Sequence, residues 1–334
     1  MIPFAQATYR TQVKRLRALA EKALDQYPIR VKKIDFINHG ENATFKVTAT
    51  SGEKYLCRIH RNDYHTHEGL LEELNWLEDL AKEGLHVPRP MHTSRGSVIV
   101  EIDDPAVGSR HCDVFRWIEG RFLSKSISED DMFKVGVLLA RMQQVGRRMK
   151  SRHRRYWTSE GLVGATAKFG SIDRLLGVPP KDQKRITSTR RALLARLKRY
   201  EKKNPKKMGL IHADLHFHNL LKTSGGEIAA IDFDDCGFGF HVYDLVIPLL
   251  GSYFHLKEHK KTRSYTKLKK ALLAGYSSIQ PLSEEDLELL QDLIIARRLL
   301  MLGWFQSRSD NPLLKGRLLK STRWVVKYLD RPFL

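Results

Sequence analysis

LIHADLHFHNLLKTSGGEIAAIDFDDCGFG, residues 210–239, is the stretch that decides how this 334-residue chain is read. Leu210 and Ile211 form an apolar lead into His212, Ala213 and Asp214, and Asn219 completes the frame H-x-D-x-x-x-x-N. Leu220, Leu221, a Ser-Gly-Gly turn at 224–226 and a β-type run from Ile228 to Ile231 then deliver Asp232, Phe233 and Asp234. The separation from Asn219 to Asp232, 232 − 219 = 13 residues, suits a single hairpin that presents Asp232 beside Asn219. Two acidic clusters thus face each other across a short turn.

These residue types meet the demands of phosphoryl transfer. Moving a γ-phosphoryl group takes little covalent help, so the protein has to position the acceptor hydroxyl and neutralise charge with Mg²⁺. Asp214 is placed to accept the acceptor's proton, and Asn219 with Asp232 offers oxygen ligands to a hard cation. The first motif has the frame of a kinase catalytic loop, and the two motifs in this order say more than either alone. A rival reading takes His212, Asp214, His216 and His218 as transition-metal ligands of a hydrolase, because alternate positions on a strand share one face. HEGLLEE at 67–73 lacks the second His of a zinc helix, and no other His-rich cluster supplies a second set of ligands.

The stretch resembles the aminoglycoside phosphotransferase-like family, which includes choline, homoserine and stress-response kinases and is similar to protein kinases in architecture. Ala213 fits the small residue that the family often carries between its His and Asp, and Asp232-Phe233-Asp234 fits its metal motif. The resemblance implies that Asp244, in VYDLVIPLL, anchors the loop and that His212 is a structural hydrogen-bonder. It spans about residues 30 to 250.

Upstream, the chain reads as a β-rich lobe. Val31–His39 reads as a strand, NHGENATFKVTAT at 38–50 as a loop followed by a second strand, and Lys54–His60 as a third. Gly40 and Asn42 fall where the family has a short phosphate-covering loop, whose backbone N–H groups can approach oxygens. Alternation places Leu56 and Arg58 on one face of the third strand, with Cys57 and Ile59 on the other. Kinases set a Lys there against the α and β phosphates; the resemblance implies that role for Arg58, whose guanidinium can clamp oxygens bidentately. A helix over 69–84 carries Glu73, the expected ion-pair partner of Arg58, with Glu72 as the alternative. HVPRPM at 86–91 leads to strands over 97–102 and 111–117. The second ends VFRWIEGR, so backbone groups from Trp117 to Glu119 are expected at the adenine edge, with Phe115 flanking the ring.

From Ser128 the pattern turns helical. Ser128 caps a helix striped with Met132, Val135, Leu138, Leu139 and Met142. The family usually ends this helix Leu-His, whereas Met142-Gln143 stands here. Residues 151–182, with Tyr156, Trp157 and GLVGATAKFG, form an irregular insertion of the sort that lines acceptor sites. Helices around 188–202, after Asp244, over 283–307 and over 312–329 complete a mainly helical part. The expectation is an α+β, two-lobed protein-kinase-like fold: an N-terminal helix at 1–30, a small β-rich nucleotide-binding lobe at 31–118, and a larger catalytic and acceptor-binding lobe at 119–334.

Composition bounds the rest. A hydrophobic fraction of 42% is that of a globular protein. Cys57, Cys112 and Cys236 are too few and too scattered for a disulfide scaffold, and no apolar run reaches the roughly eighteen residues of a membrane span. A cytoplasmic location is expected. The acid-free N-terminus hints at a transit peptide, but Val13, Leu16, Ala20 and Leu24 keep helical register up to Tyr27-Pro28, which favours a structural helix. The net charge of +20 lies in blocks at 147–155, 190–207 and 257–270. Lys and Arg alternate there with leucines, which reads as solvated helix faces rather than a polyanion surface, and tight nucleic-acid binding is not expected. The expected function is transfer of the γ-phosphate of ATP, with Mg²⁺, to a hydroxyl of a small metabolite. A protein Ser or Thr is the alternative acceptor, and a pseudokinase or nucleic-acid-binding module that retains only the fold is the non-catalytic alternative. A cationic aminoglycoside is disfavoured by long-range repulsion.

Overall fold

A computed structural model of the chain describes residues 2–62, 64–149, 151–258, 264–309 and 316–329. They divide into two compact units. The first runs to Arg121 and also takes in two short returns of the chain, 152–154 and 222–231. A single cut at residue 118 does not anticipate those returns.

In the first unit, α1 (Tyr9–Leu24) is capped by Thr8, whose hydroxyl accepts the Thr11 N–H, and it buries Leu16, Leu19, Ala20, Ala23 and Leu24. That stripe shares one core with Phe45, Val47, Cys57, Ile59 and Val114. The helix is therefore part of the core of this unit, although the sequence set it apart at residue 30. Strands β1 (Val31–His39), β2 (Ala43–Ala49) and β3 (Lys54–Ile59) precede α2 (His67–Lys82), and β4 (Ile99–Ile102) and β5 (Arg110–Arg116) follow it. The five strands form one antiparallel sheet in the order β1-β2-β3-β5-β4. Its register sets Arg58 of β3 opposite Asp113 of β5. Strand β4 starts at Ile99 rather than Ser97, because Ser97 bonds locally: its N–H donates to Thr93 Oγ1 and its hydroxyl to the Ile99 carbonyl.

The short β6 (Arg121–Phe122) and α3 (Glu129–Gly146) come next, the helix starting in a capping box of Ser128 and Asp131. The elements β7 (Arg155–Trp157), α4 (Ser159–Val163), α5 (Pro180–Lys203), β8 (Met208–Ile211), β9 (Leu220–Lys222), β10 (Ile228–Ala230) and β11 (Gly237–Phe240) lead to helices α6 (Tyr243–Glu258), α7 (Tyr265–Ser277), α8 (Glu284–Gln306) and α9 (Arg317–Tyr328). In the second unit β11 runs parallel to β7 and antiparallel to β8. The pairing explains the GFG that follows the acidic motif: a Cβ on Gly237 would lie 2.2 Å from the Arg155 carbonyl oxygen, and one on Gly239 would lie 2.6 Å from Trp157 Cβ. Only glycine lets these strands approach so closely.

The basic helix α5 buries Ile186, Leu193, Leu197 and Tyr200 and turns its cations to acids of α8, with Arg196 on Asp292 at 2.6 Å and Lys203 on Glu285 at 3.1 Å. Lys150 of the first basic block, residues 259–263 of the third and the start of the last helix lie outside the described residues. Among the described residues no helix is long and apolar enough to cross a membrane.

Candidate active site

Strand β8 ends where the backbone bends sharply: Ala213 has φ 67°, and further on Asp232 has φ 63°. Left-handed backbone at a residue other than glycine costs about 1–3 kcal/mol and persists only where neighbours enforce it. At Ala213 the enforcer is Asp244, wholly buried, whose carboxylate accepts the N–H groups of His212 (3.0 Å) and Ala213 (2.7 Å). Gln143 completes the anchor. Its amide donates to the His241 carbonyl and to Asp244, and its oxygen accepts the Tyr276 hydroxyl at 2.6 Å. The Gln that departs from the family pattern thus still ties α3 to the loop anchor. Burial raises the Asp244 carboxyl to about 6, against the opposing pull of those backbone and Gln143 donors.

Asp214 itself is partly open, with its side chain 25% exposed. Arg297 of α8 donates to its Oδ1 at 2.7 Å and reaches the Tyr243 hydroxyl with its other arm at 3.2 Å. His216 Nε2 lies 3.7 Å from the other carboxylate oxygen. Asn219 gives its amide nitrogen to the Asp214 carbonyl (3.0 Å), which turns its side-chain oxygen away from that bond. Asp232 is exposed, while Phe233 and Asp234 are buried. Asn219 and Asp232 both belong to the second unit and flank the 222–231 return, whose turn closes through Thr223 N–H to the Glu227 carbonyl at 2.9 Å. An amide oxygen and an exposed carboxylate are hard donors, the set that suits Mg²⁺ rather than zinc.

The histidines do not make a transition-metal set. His212 is fully buried with its ring 4.5 Å from that of Phe233, and its Nδ1 accepts the Asp214 N–H. His218 is exposed. Among the described residues no three His, Cys, Asp or Glu side chains converge on a point that would hold a metal.

In the first unit Arg58 meets Glu73 at 2.8 Å. Its principal partner is one that sequence reasoning missed: Nε and one terminal nitrogen form a bidentate pair with Asp113, at 3.0 and 2.7 Å. His60 also reaches Asp113 (2.9 Å), and Arg154 reaches Glu73 (3.4 Å). All five side chains are buried. Burial alone would raise the Asp113 carboxyl, but Arg58 and His60 outweigh it and hold the group at about 2. Glu72 has a different task, accepting the successive N–H groups of Arg152, His153 and Arg154 at 2.8–3.3 Å. Several residues expected at the nucleotide make their bonds within the protein. The Arg58 fork faces Asp113, so it is not open to grip phosphate bidentately. The Trp117 N–H donates to the Lys54 carbonyl (3.0 Å), which removes that donor from an adenine edge, and Glu119 pairs with Lys54 at 2.6 Å. Gly40 spends its N–H on the Asn42 carbonyl, and Asn42 Oδ1 accepts from Arg61 N–H, so this loop is a closed turn.

Asp113 was legible only through the β3–β5 register, and Arg297 lies 83 residues from Asp214 on a helix that gave no motif. Lys168 also went unnoticed; it pairs with Asp235 and is lowered in pKa by burial.

An α+β fold with a strained His-x-Asp loop, an anchoring buried acid and two oxygen donors defines a kinase-like phosphotransferase. The chain belongs to the phosphotransferase enzyme family, whose model matches residues 33–282. It is similar to amicoumacin kinase of Bacillus subtilis, 23% identical over 301 residues covering 88% of this chain and 85% of that protein. It is also similar to homoserine kinase of Agrobacterium fabrum, 26% identical over 75% of this chain and 72% of that one. Among solved structures, a microcompartment-associated aminopropanol kinase superposes with a TM-score of 0.80 at 27% identity, covering 94% of this chain and 97% of that chain. Amicoumacin kinase hAmiN, solved with AMP-PNP and Ca²⁺, superposes at 0.74 with 20% identity over 94% and 96% of the two chains. The protein is thus a phosphotransferase with a kinase-like fold.

Proposed function

We propose that Asp214 is the base that takes the proton of a small metabolite's hydroxyl, and that Asn219 and Asp232 hold Mg²⁺. The observation that carries this reading is the Asp214 carboxylate. It is partly exposed, oriented by Arg297 at 2.7 Å, and set on a loop whose strain is held by buried Asp244. A carboxylate fixed in one direction suits proton acceptance. The Asn219 amide, fixed by its bond to the Asp214 carbonyl, couples base and metal ligand in one rigid loop. Mg²⁺ held there would supply positive charge against the phosphates during transfer. Arg58, with its fork on Asp113, contributes charge toward the α- and β-phosphates rather than a bidentate grip, and Glu73 keeps it in place. Gly40 and Asn42 cover the phosphates as a preformed turn, and the backbone of the Trp117–Glu119 segment meets the adenine edge.

The relatives named for aminopropanol and homoserine support a small acceptor for this chain over a protein one. A cytoplasmic setting is part of the same proposal, resting on the reduced cysteines expected there. The test is ADP release from Mg-ATP across a panel of hydroxylated metabolites. Acceptor-dependent release that vanishes in Asp214→Asn supports the assignment. Release that is equal with and without every acceptor, or unchanged in Asp214→Asn, would sink it.

A further inference from the structure

The loop after α4 places a cation where the second unit has built a receptor for one. The Lys168 ammonium lies 4.8 Å from the ring centroid of Trp157 and 5.1 Å from that of Phe169, and it is ion-paired with Asp235, the residue next to Asp232-Phe233-Asp234. The walls are tied in place. The Trp157 indole N–H donates to the Asp235 carbonyl at 2.8 Å, and Trp157 stacks on Tyr243, with ring centroids 5.8 Å apart. The Lys168 N–H donates to the Gly161 carbonyl at 3.1 Å. Only 6% of the Lys168 side chain is exposed, against 22% for Asp235, so the ammonium is enclosed while the carboxylate keeps an open side.

A carboxylate and two aromatic faces around one point make the surroundings that recognise an organic ammonium. The cage also borders the reacting end of the site, since Trp157 stacks on Tyr243, whose hydroxyl accepts from Arg297, and Arg297 donates to Asp214. Lys168 is covalently tethered, so it competes with a free amine at a high effective concentration. We propose that Lys168 is a specificity-determining residue: it fills an ammonium cage of Asp235, Trp157 and Phe169 with the chain's own cation, so the acceptor is a hydroxyl compound without an ammonium group. This rests on the acceptor-site reading above but does not need turnover to be tested.

The probe is tetramethylammonium chloride, titrated into the full chain at constant ionic strength and followed by ligand-detected NMR. Lys168→Ala should bind it at least about tenfold more tightly than the parent, and Asp235→Asn added to Lys168→Ala should cancel the gain. Lys168→Met, which keeps the volume and drops the charge, should gain less than Lys168→Ala. Equal affinity in parent and folded Lys168→Ala, with folding judged by melting and by Mg-ATP binding, would overturn the proposal. If the Lys168 variants do not fold, the parent decides. A higher kcat/KM for 1-amino-2-propanol than for 1,2-propanediol would overturn it, and the reverse order supports it. No turnover of any acceptor alongside an ammonium-binding gain in Lys168→Ala would sink the phosphotransfer assignment and leave the cage standing.

Discussion

Arg58, Glu73, Asp113, Arg154 and His60 in the first unit, and Asp214, Asn219 and Asp232 in the second, are two polar groupings, the first drawn from distant parts of the chain and the second from a single stretch of it. They differ in how completely the protein neutralises them. The first is buried and pairs its cations with its acids internally. The second leaves Asp214 partly open and Asp232 exposed. A buried ion pair is weak evidence for net stability, but once built it is costly to break on one side. A partly open acidic loop is the reverse: it adds little to folding, and its carboxylates face solvent, as the proposed metal and acceptor roles require. The comparison therefore predicts stability phenotypes in one cluster and activity phenotypes in the other.

The largest effect belongs to the open cluster. Asp214→Asn removes the proposed base and leaves Asn219 and Asp232, so turnover should drop by about 10²–10⁴ while Mg-ATP binds as before. Asp232→Asn should lower turnover and also weaken nucleotide binding in the presence of Mg²⁺, because a charged ligand is lost. Calorimetric titration of Mg-ATP separates the two variants; identical affinities in both would remove Asp232 from the metal site. The closed cluster should answer differently. Asp113→Ala strands the Arg58 guanidinium and His60 in a buried place, and unfolding should become easier by roughly 3–5 kcal/mol. A denaturant titration that finds Asp113→Ala as stable as the parent would show the cluster to be solvated rather than closed.

What the sequence made legible follows the same division. The loop residues lie within one 30-residue stretch, so their spacing announced the chemistry before any fold was known, and Glu73 was found because α2 follows β3 directly. Asp113 was not found, since its pairing with Arg58 depends on strand register, a property of the whole sheet. Arg297 was missed for a related reason. On α8 it reads as one more arginine in a helix, and only the packing of that helix turns it to Asp214. Helix α1 was recognised from its stripe, but that its buried face completes the sheet core was not, because periodicity gives a face and not its partner.

The pH dependence sharpens the comparison at smaller scale. The Asp113 carboxyl lies at about 2 in the folded protein, below its ordinary 3.8. A depressed carboxyl adds stability that is fully present above its unfolded pKa and is lost as pH falls through the folded value. The stability gap between the parent and Asp113→Asn should therefore narrow by roughly 1–2 kcal/mol as pH drops from about 5 to about 2, because the amide does not titrate. A gap that stays constant over that window would mean that Asp113 is not held ionised by Arg58 and His60.

The smallest effect is expected on the basic face, where charge is abundant and neither buried nor open for chemistry. Lys203 is paired with Glu285 at 3.1 Å, but its side chain is 68% exposed, so water and salt screen the pair. Lys202 and Lys206 are exposed as well. Replacing Lys202, Lys203 and Lys206 together by Gln should change stability by less than about 1 kcal/mol and leave turnover of a small acceptor unaltered at physiological salt. Lys207 is deliberately left in place. Its ammonium pairs with Asp286, which is 2% exposed, caps α8 together with Ser283 and accepts the Tyr200 hydroxyl at 2.5 Å. Adding Lys207→Gln would strip a buried carboxylate of its cation and loosen the start of the helix that carries Arg297. A triple variant that loses activity while Lys207 is intact would show that the +20 charge serves the acceptor or another anion, and that the solvated-face reading of α5 is wrong.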